Sequence, residues 1–297
     1  MSTLDNDVVF PVKLQNVNLM RLTSSCSPNS SIIIRSDKLD DTYQVYLNRV
    51  VRQTLPEKYL SALQHIQESP KFKPDEAGNR KPVPFPGYSV ITPPWKDDLK
   101  NAEFYQQIHE CQTQLLAQIP GNWLVALPPD SFHLTLADLI WDDTYLQVIC
   151  TPDLERQLRD RIADSFQQSS HLTKGDPIAW QVIGIMVSNR SIGVLLVPVD
   201  EHSYSQTVQL RRAIYQNQGL IALGIEQQYH FTAHITVAYF GKIPEDLERD
   251  RLSSIFTELN HQLMDNPQKL LVERAELRKF ENMTEYRREQ DWPFFQF

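Results

Sequence analysis

Ser131-Phe132-His133-Leu134-Thr135-Leu136-Ala137 and Thr232-Ala233-His234-Ile235-Thr236-Val237-Ala238 repeat one pattern, the two histidines standing 101 positions apart. Both read as β-strands, whose successive side chains point to opposite faces. In the first, Phe132, Leu134 and Leu136 share a packing face, and His133 and Thr135 share the other. In the second, Ala233, Ile235 and Val237 turn inward and Thr232, His234 and Thr236 stand opposite. Either stretch alone is what the solvated face of an antiparallel strand offers. With 8 His and 15 Thr in the chain, chance supplies roughly 0.4 His-x-Thr triplets, so the matched pair is the informative feature. Two further triplets compete. His171-Leu172-Thr173 falls in the polar run SSHLTKGDP and reads as a loop coincidence. His230-Phe231-Thr232 shares a strand and face with His234 but sits at the strand's start, so His234, with its full apolar frame, is preferred.

Outward from these stretches the chain mixes helical and strand patterns. Residues 41–67 keep helical apolar spacing, with Pro56 splitting two helices. A loop rich in Pro and charge spans 69–86, then Gly87-Tyr88-Ser89-Val90-Ile91-Thr92 reads as a strand stopped by Pro93 and Pro94. A helix is predicted over 100–119, strands over 123–127 and 131–139, and a helix over 151–166 with Thr151 as cap and Pro152 at its first position. Strands over 178–187 and 192–197 form a hairpin. A helix over 202–216, a strand over 229–240, a helix from Pro244 to about 263 and a strand over 270–280 complete the order. Two helix-and-strand halves, each carrying one His-x-Thr, suggest two related lobes facing one another.

Composition narrows the possible functions. A chain of 297 residues, 41% hydrophobic and 22% charged, has the makeup of an ordinary globular protein. No apolar run approaches the roughly 20 residues of a spanning helix, and the N-terminus lacks the basic start and apolar run of an export signal. A cytoplasmic protein that does not enter membranes is the expectation. Cys26, Cys111 and Cys150 are odd in number and scattered, which fits free thiols. The net charge of −8 opposes affinity for long duplex DNA, whose binding rests on neutralised phosphates. A small phosphorylated ligand needs only a local patch.

Paired histidines fit such a ligand. An imidazole with an unperturbed pKa near 6.5 can accept a proton from a nucleophile while a second, protonated, delivers one to a leaving oxygen. A threonine two residues on points the same way and can donate its hydroxyl to a phosphate oxygen. This chemistry requires no metal or cofactor. His230 and His234 are four apart, as in a zinc-binding helix, but lack the glutamate of that motif and lie in a β-type run, where four residues span about 13 Å. The sequence holds no Gly-x-Ser-x-Gly elbow, Walker loop or dinucleotide-binding fingerprint.

The two motifs, His133-Leu134-Thr135-Leu136 and His234-Ile235-Thr236-Val237, resemble those of the two-histidine (2H) phosphoesterase superfamily. Three accessory stretches, GYSVI at 87–91, LPPDSFHLTLAD at 127–138 and FENMTEY at 280–286, are similar to a poorly characterised branch of it. The resemblance covers roughly residues 80–290. It implies a bilobal, pseudo-symmetric α+β fold, with two antiparallel sheets lining a central cleft and helices outside. It also implies action on 2′,3′-cyclic phosphates, 2′,5′ linkages or related cyclic nucleotides, including RNA ends. In that reading His133 and His234 are base and acid, in an order the sequence leaves open, and Thr135 and Thr236 bind phosphate. Tyr88, Trp95 and Tyr239 are the candidates for stacking on a base.

The organisation expected is an irregular extension over 1–40, a helical region and loop over 41–80, and the bilobal catalytic domain over 81–297, acting as a monomer on a small phosphorylated nucleotide or RNA end. The rival reading is a nucleotide- or RNA-end-binding module that keeps the cleft with little catalysis. Residues 1 to about 75 exceed the compact core the resemblance implies, and could cap the cleft or mediate an interaction.

Overall fold

The structure, a computed structural model, describes residues 40–119, 121, 123–149, 153–172 and 177–297. From residue 40 onward these belong to one compact unit. The extension read over 1–40 lies, apart from Asp40, outside the described residues, as do Cys26 and Cys150. The elements are α1 (Tyr43–Val51), α2 (Pro56–Leu63), β1 (Phe72–Pro74), β2 (Arg80–Pro82), β3 (Gly87–Ile91), α3 (Ala102–Gln118), β4 (Leu124–Ala126), β5 (Thr135–Trp141), α4 (Asp142–Val148), α5 (Leu154–Gln168), β6 (Ile178–Val187), β7 (Ser191–Pro198), α6 (Glu201–Tyr215), α7 (Gln218–Ile221), β8 (His234–Phe240), α8 (Arg249–Asp265), β9 (Lys269–Val272), β10 (Arg274–Asn282), β11 (Glu285–Arg287) and β12 (Phe294–Gln296).

Two antiparallel sheets organise the fold, with helices outside them. The first has the order β11-β10-β3-β5, with β12 also beside β10, and the second the order β4-β8-β7-β6-β9. The motif strand β5 closes the first sheet, and the motif strand β8 lies inside the second. The single strand predicted over 270–280 is two strands, one in each sheet. The break falls at Glu273, whose carbonyl accepts from Phe297 N–H. No helix among the described residues is long and apolar enough to cross a membrane.

Pro56 does divide two helices, as read, and opens α2 at its first position, where its missing N–H is not needed. Other departures from the sequence reading have local causes. The loop over 69–86 contains the β1–β2 hairpin, turned through Gly78 at φ 81°, with Asp75 Oδ1 accepting from the N–H groups of Ala77 and Asn79. The helix predicted from Thr151 starts at Leu154, and Thr151 and Pro152 lie outside the described residues. The helix predicted from Pro244 starts at Arg249. β5 begins at Thr135, because a 3₁₀ turn over Pro129–Ser131 precedes it. β8 begins at His234, because Arg49 of α1 donates to the Phe231 carbonyl and to Thr232 Oγ1, holding 231–232 off the sheet.

Helices α1 and α2 are part of the folded body rather than an appendage. Tyr46, Val50, Tyr59 and Leu63 are at most 1% exposed. Tyr46 Oη donates to the Leu196 carbonyl and accepts from Ala233 N–H, each at 3.1 Å, and Tyr59 Oη donates to the Ile185 carbonyl at 2.9 Å. Burying those hydroxyls requires these bonds, so residue 80 marks no boundary in the packing.

The two halves match in detail. In β5 the register against β3 leaves Leu136 as an extra residue, and in β8 the register against β7 leaves Val237 as one. The two are again 101 residues apart. A buried helix side chain bonds the carbonyl of each extra residue: Arg211 Nη1 of α6 donates to Leu136 O, and Gln112 Nε2 of α3 donates at 2.8 Å to Val237 O, which also accepts from Leu127 N–H at 2.9 Å. Gln112 also donates to Leu127 O at 2.8 Å. Replacing Gln112, 3% exposed, by Leu strips these carbonyls of their side-chain donor. The expected cost is about 1–3 kcal/mol in chemical denaturation, whereas a variant as stable as wild type would show that the bulge needs no such support.

Candidate active site

Bulges change which side chains share a face. Simple alternation past Thr135 would send Ala137 and Leu139 to the face of His133. With Leu136 and Leu139 both supernumerary against β3, the residues that reach the space between the sheets are instead His133, Thr135, Asp138 and Trp141. On β8 they are His234, Thr236 and Tyr239. The triplets 133/135/138 and 234/236/239 correspond at the 101-residue offset. Together they line a cleft of about 510 Å³, joined by Lys71, Ser89, Arg190, Phe280, Met283 and Tyr286. A cavity of about 580 Å³ between the β1–β2 hairpin, α3 and α8 is lined by no histidine.

The two imidazoles are fixed in the same way. His133 Nδ1 lies 2.7 Å from the Ser131 carbonyl and His234 Nδ1 lies 2.8 Å from the Thr232 carbonyl. A carbonyl only accepts, so each neutral ring carries its proton on Nδ1 and keeps the Nε2 lone pair free. Neither Nε2 has a hydrogen-bond partner among the described residues. The Tyr286 ring stands edge-on to His133 with centroids 4.2 Å apart. On the other side, Gly193 of β7 makes room: a Cβ there would meet the Ile235 carbonyl at 2.8 Å and His234 Cδ2 at 3.4 Å.

Electrostatics separates the two rings. Burial draws the His133 imidazole down to about 4, helped by the Arg278 guanidinium and the neighbouring His234 and opposed by its bond to the Ser131 carbonyl. Arg278 is a buried cation, 5% exposed, held by Glu276 at 2.5 Å and Asp97 at 2.9 Å. It also donates to the Tyr286 carbonyl, so it supports the ring that leans on His133. Burial lowers the His234 imidazole too, but the bond to Thr232 and the Asp138 charge push it back up. Burial raises the Asp138 carboxyl, while Arg211, Lys71 and His234 pull it down. The Tyr239 and Tyr286 hydroxyls are raised by burial and stay neutral donors at working pH.

The structure brings His133, Thr135, His234, Thr236 and Tyr239 into the cleft and leaves two of the predicted stacking residues out of it. Tyr88, 2% exposed, faces the other side of the first sheet, where its hydroxyl donates to Glu155 at 2.7 Å and its ring packs on Tyr145 and Trp292. Strand alternation next to Ser89, which does line the cleft, requires this. Trp95 stacks on Tyr105 at 5.9 Å and is not a cleft-lining residue. His230 is exposed and lies 3.3 Å from Asp41, and His171 sits in a 3₁₀ turn, with Thr173 outside the described residues. Asp138, Lys71, Arg278 and Tyr286 went unread as site residues. Asp138 ends the LPPDSFHLTLAD stretch and Tyr286 ends FENMTEY, but placing them takes the bulges and the β10–β11 hairpin. Among the described residues no three His, Cys, Asp or Glu side chains cluster to hold a metal ion.

No protein-family model matches the chain, and none of the curated proteins compared with it does. Among solved structures it is similar to ATU0111, a conserved protein of unknown function from Agrobacterium tumefaciens. Identity is 16% and the TM-score 0.54, over 78% of this chain and 96% of that one. A second match is TT0787 of Thermus thermophilus, at 16% identity and a TM-score of 0.37, over 68% of this chain and all of that one. The first similarity establishes a shared fold.

The His133 environment has a consequence for stability. The folded pKa lies below the unfolded value near 6.5, so between pH 6.5 and about 4 the unfolded chain binds a proton that the folded chain refuses. Stability therefore falls as pH drops through that window. His133→Gln removes the site, and its melting temperature should gain on that of wild type as pH falls from 7 to 4.5. A difference independent of pH would contradict the environment described.

Proposed function

We propose that this protein is a phosphodiesterase that opens a cyclic phosphodiester, a 2′,3′-cyclic phosphate or a related nucleotide or RNA end, by paired-histidine acid–base catalysis without a metal. The observation that carries the reading is the pair of imidazoles, each locked through Nδ1 and each with a free Nε2, in one cleft between two matching strands. Two proton transfers are what hydrolysis of a phosphodiester needs, and each positioned group is worth about 10²–10⁴ in rate.

The charges favour one order. His133, kept neutral by burial and by Arg278, accepts a proton at Nε2 from the attacking water as the water oxygen bonds to phosphorus. His234, whose protonated form Asp138 stabilises, gives its Nε2 proton to the ribose oxygen as the bond from phosphorus to that oxygen breaks. The proton gained by one ring and lost by the other returns through solvent. Thr135 and Thr236 donate hydroxyls to the non-bridging oxygens, where charge collects in the transition state. Tyr239, at the cleft wall, remains the candidate aromatic for the base. In this reading the protein works as a monomer in the cytoplasm on a small phosphorylated nucleotide or an RNA end, which suits a net charge of −8.

The test is hydrolysis of a nucleoside 2′,3′-cyclic phosphate in EDTA. Wild type should turn it over, and His133→Ala and His234→Ala should each lose about a hundredfold or more in kcat. Full activity in either variant would refute the mechanism. Binding by wild type without turnover would instead make the cleft a recognition site.

A further inference from the structure

Lys71 reaches the cleft from the segment between α2 and β1, outside both motif strands and outside the stretch of about 80–290 that carries the resemblance. Its Nζ lies 4.3 Å from the Phe85 ring centroid, 5.2 Å from that of Tyr239 and 3.2 Å from Met283 Sδ. An ammonium has three N–H donors, and a thioether sulfur is a weak acceptor. The two ring faces attract the charge but take no proton in a conventional hydrogen bond. Among the described residues no carboxylate comes within 4.0 Å of Lys71. Asp138 and Asp142 act on it only at longer range, and burial with Arg190 draws the ammonium down to about 8.

A half-buried cation whose carboxylates, Asp138 and Asp142, act only at longer range is favoured by added negative charge. Here the cage holds the ammonium at the cleft wall with donors left over. A second cation stands by: Arg190, on the exposed turn between β6 and β7, lines the same cleft, is close enough to depress Lys71, and forms no ion pair among the described residues. The two reach the cleft from different parts of the chain, and neither belongs to the pair of motifs that would hold the reacting phosphate.

We propose that Lys71 and Arg190 form a subsite for a second phosphate of the substrate, apart from the phosphodiester held between the histidines. The proposal rests on the phosphodiesterase reading for the identity of the first phosphate. The preferred substrate is then not a bare nucleoside cyclic phosphate but one carrying a further phosphate, either a 5′-phosphomonoester or the next phosphodiester of an RNA chain. Lys71, a compact ammonium on a flexible stem, suits a phosphate oxygen as a point charge, and Arg190 adds a planar fork.

The test uses product-like ligands and needs no turnover. Dissociation constants at pH 7 are measured by calorimetry for adenosine 3′-monophosphate, for adenosine 3′,5′-bisphosphate and for the dinucleotide ApAp. Wild type should bind one or both of the doubly phosphorylated ligands about tenfold more tightly than the monophosphate, the gain expected of a charge-assisted contact. The tighter of the two identifies the source of the second phosphate. That preference should fall below twofold in Lys71→Gln, and should shrink about threefold in Arg190→Gln, whose exposed position leaves folding untouched. It should also erode between pH 7 and 9.5 as Lys71 loses its charge. A wild-type ratio near one, or a ratio unchanged in either variant, overturns the subsite. Failure of the hydrolysis assay with this preference intact would remove the phosphodiesterase reading and leave the subsite standing.

Discussion

A β-bulge moves the residues beyond it to the opposite face of the strand and leaves a carbonyl that a buried side chain can brace, and the arrangement of this protein's cleft follows from two such bulges. The extra residues Leu136 and Val237 shift the cleft-facing set of each motif strand, so that Asp138 and Tyr239 join the His-x-Thr pairs. Their carbonyls are captured crosswise: Arg211, from a helix ahead of β8, bonds the bulge of β5, and Gln112, from a helix ahead of β5, bonds the bulge of β8. A strand, its bulge and the side chain that braces it thus form a unit, used once per lobe, and each unit presents one imidazole to the same cleft.

The units are alike in geometry and different in charge. Both rings are fixed through Nδ1 by the carbonyl two residues earlier, which leaves the tautomer nothing to choose. Behind His133 stands Arg278, buried against Glu276 and Asp97. Near His234 stands Asp138, supplied by the opposite strand. Groups in similar frames whose surroundings push their protonation apart are the arrangement acid–base chemistry uses, and here the separation arises from Arg278 behind one ring and from Asp138, whose counterpart is Tyr239, near the other.

The two motif strands, the α+β order and the four residues His133, Thr135, His234 and Thr236 were legible in the sequence, because a period of two and a short repeated triplet are local signals. Tyr88 and Trp95 were misplaced by a cruder rule, that an aromatic near a motif faces the same way. For Tyr88 alternation beside Ser89 already decided otherwise. Asp138 stayed hidden since it lies on the wrong parity for an unbroken strand, and bulges have no sequence signature here. Lys71 and Tyr286 come from segments distant in the chain, and only tertiary packing brings them to the cleft. The division of 270–280 between two sheets was equally invisible, since β9 and β10 differ in partners and not in pattern.

The central claim is that both imidazoles are held as Nδ1–H tautomers with their Nε2 atoms exposed to one ligand. Long-range ¹H–¹⁵N correlation spectra of the histidine rings near pH 7, recorded with and without a nucleoside 3′-phosphate, test it most directly. The account predicts that the neutral form of each ring carries its proton on Nδ1 and not on Nε2, and that both Nε2 resonances move on addition of the nucleotide. An Nε2–H tautomer at either residue, or a ligand response confined to one ring, would contradict it.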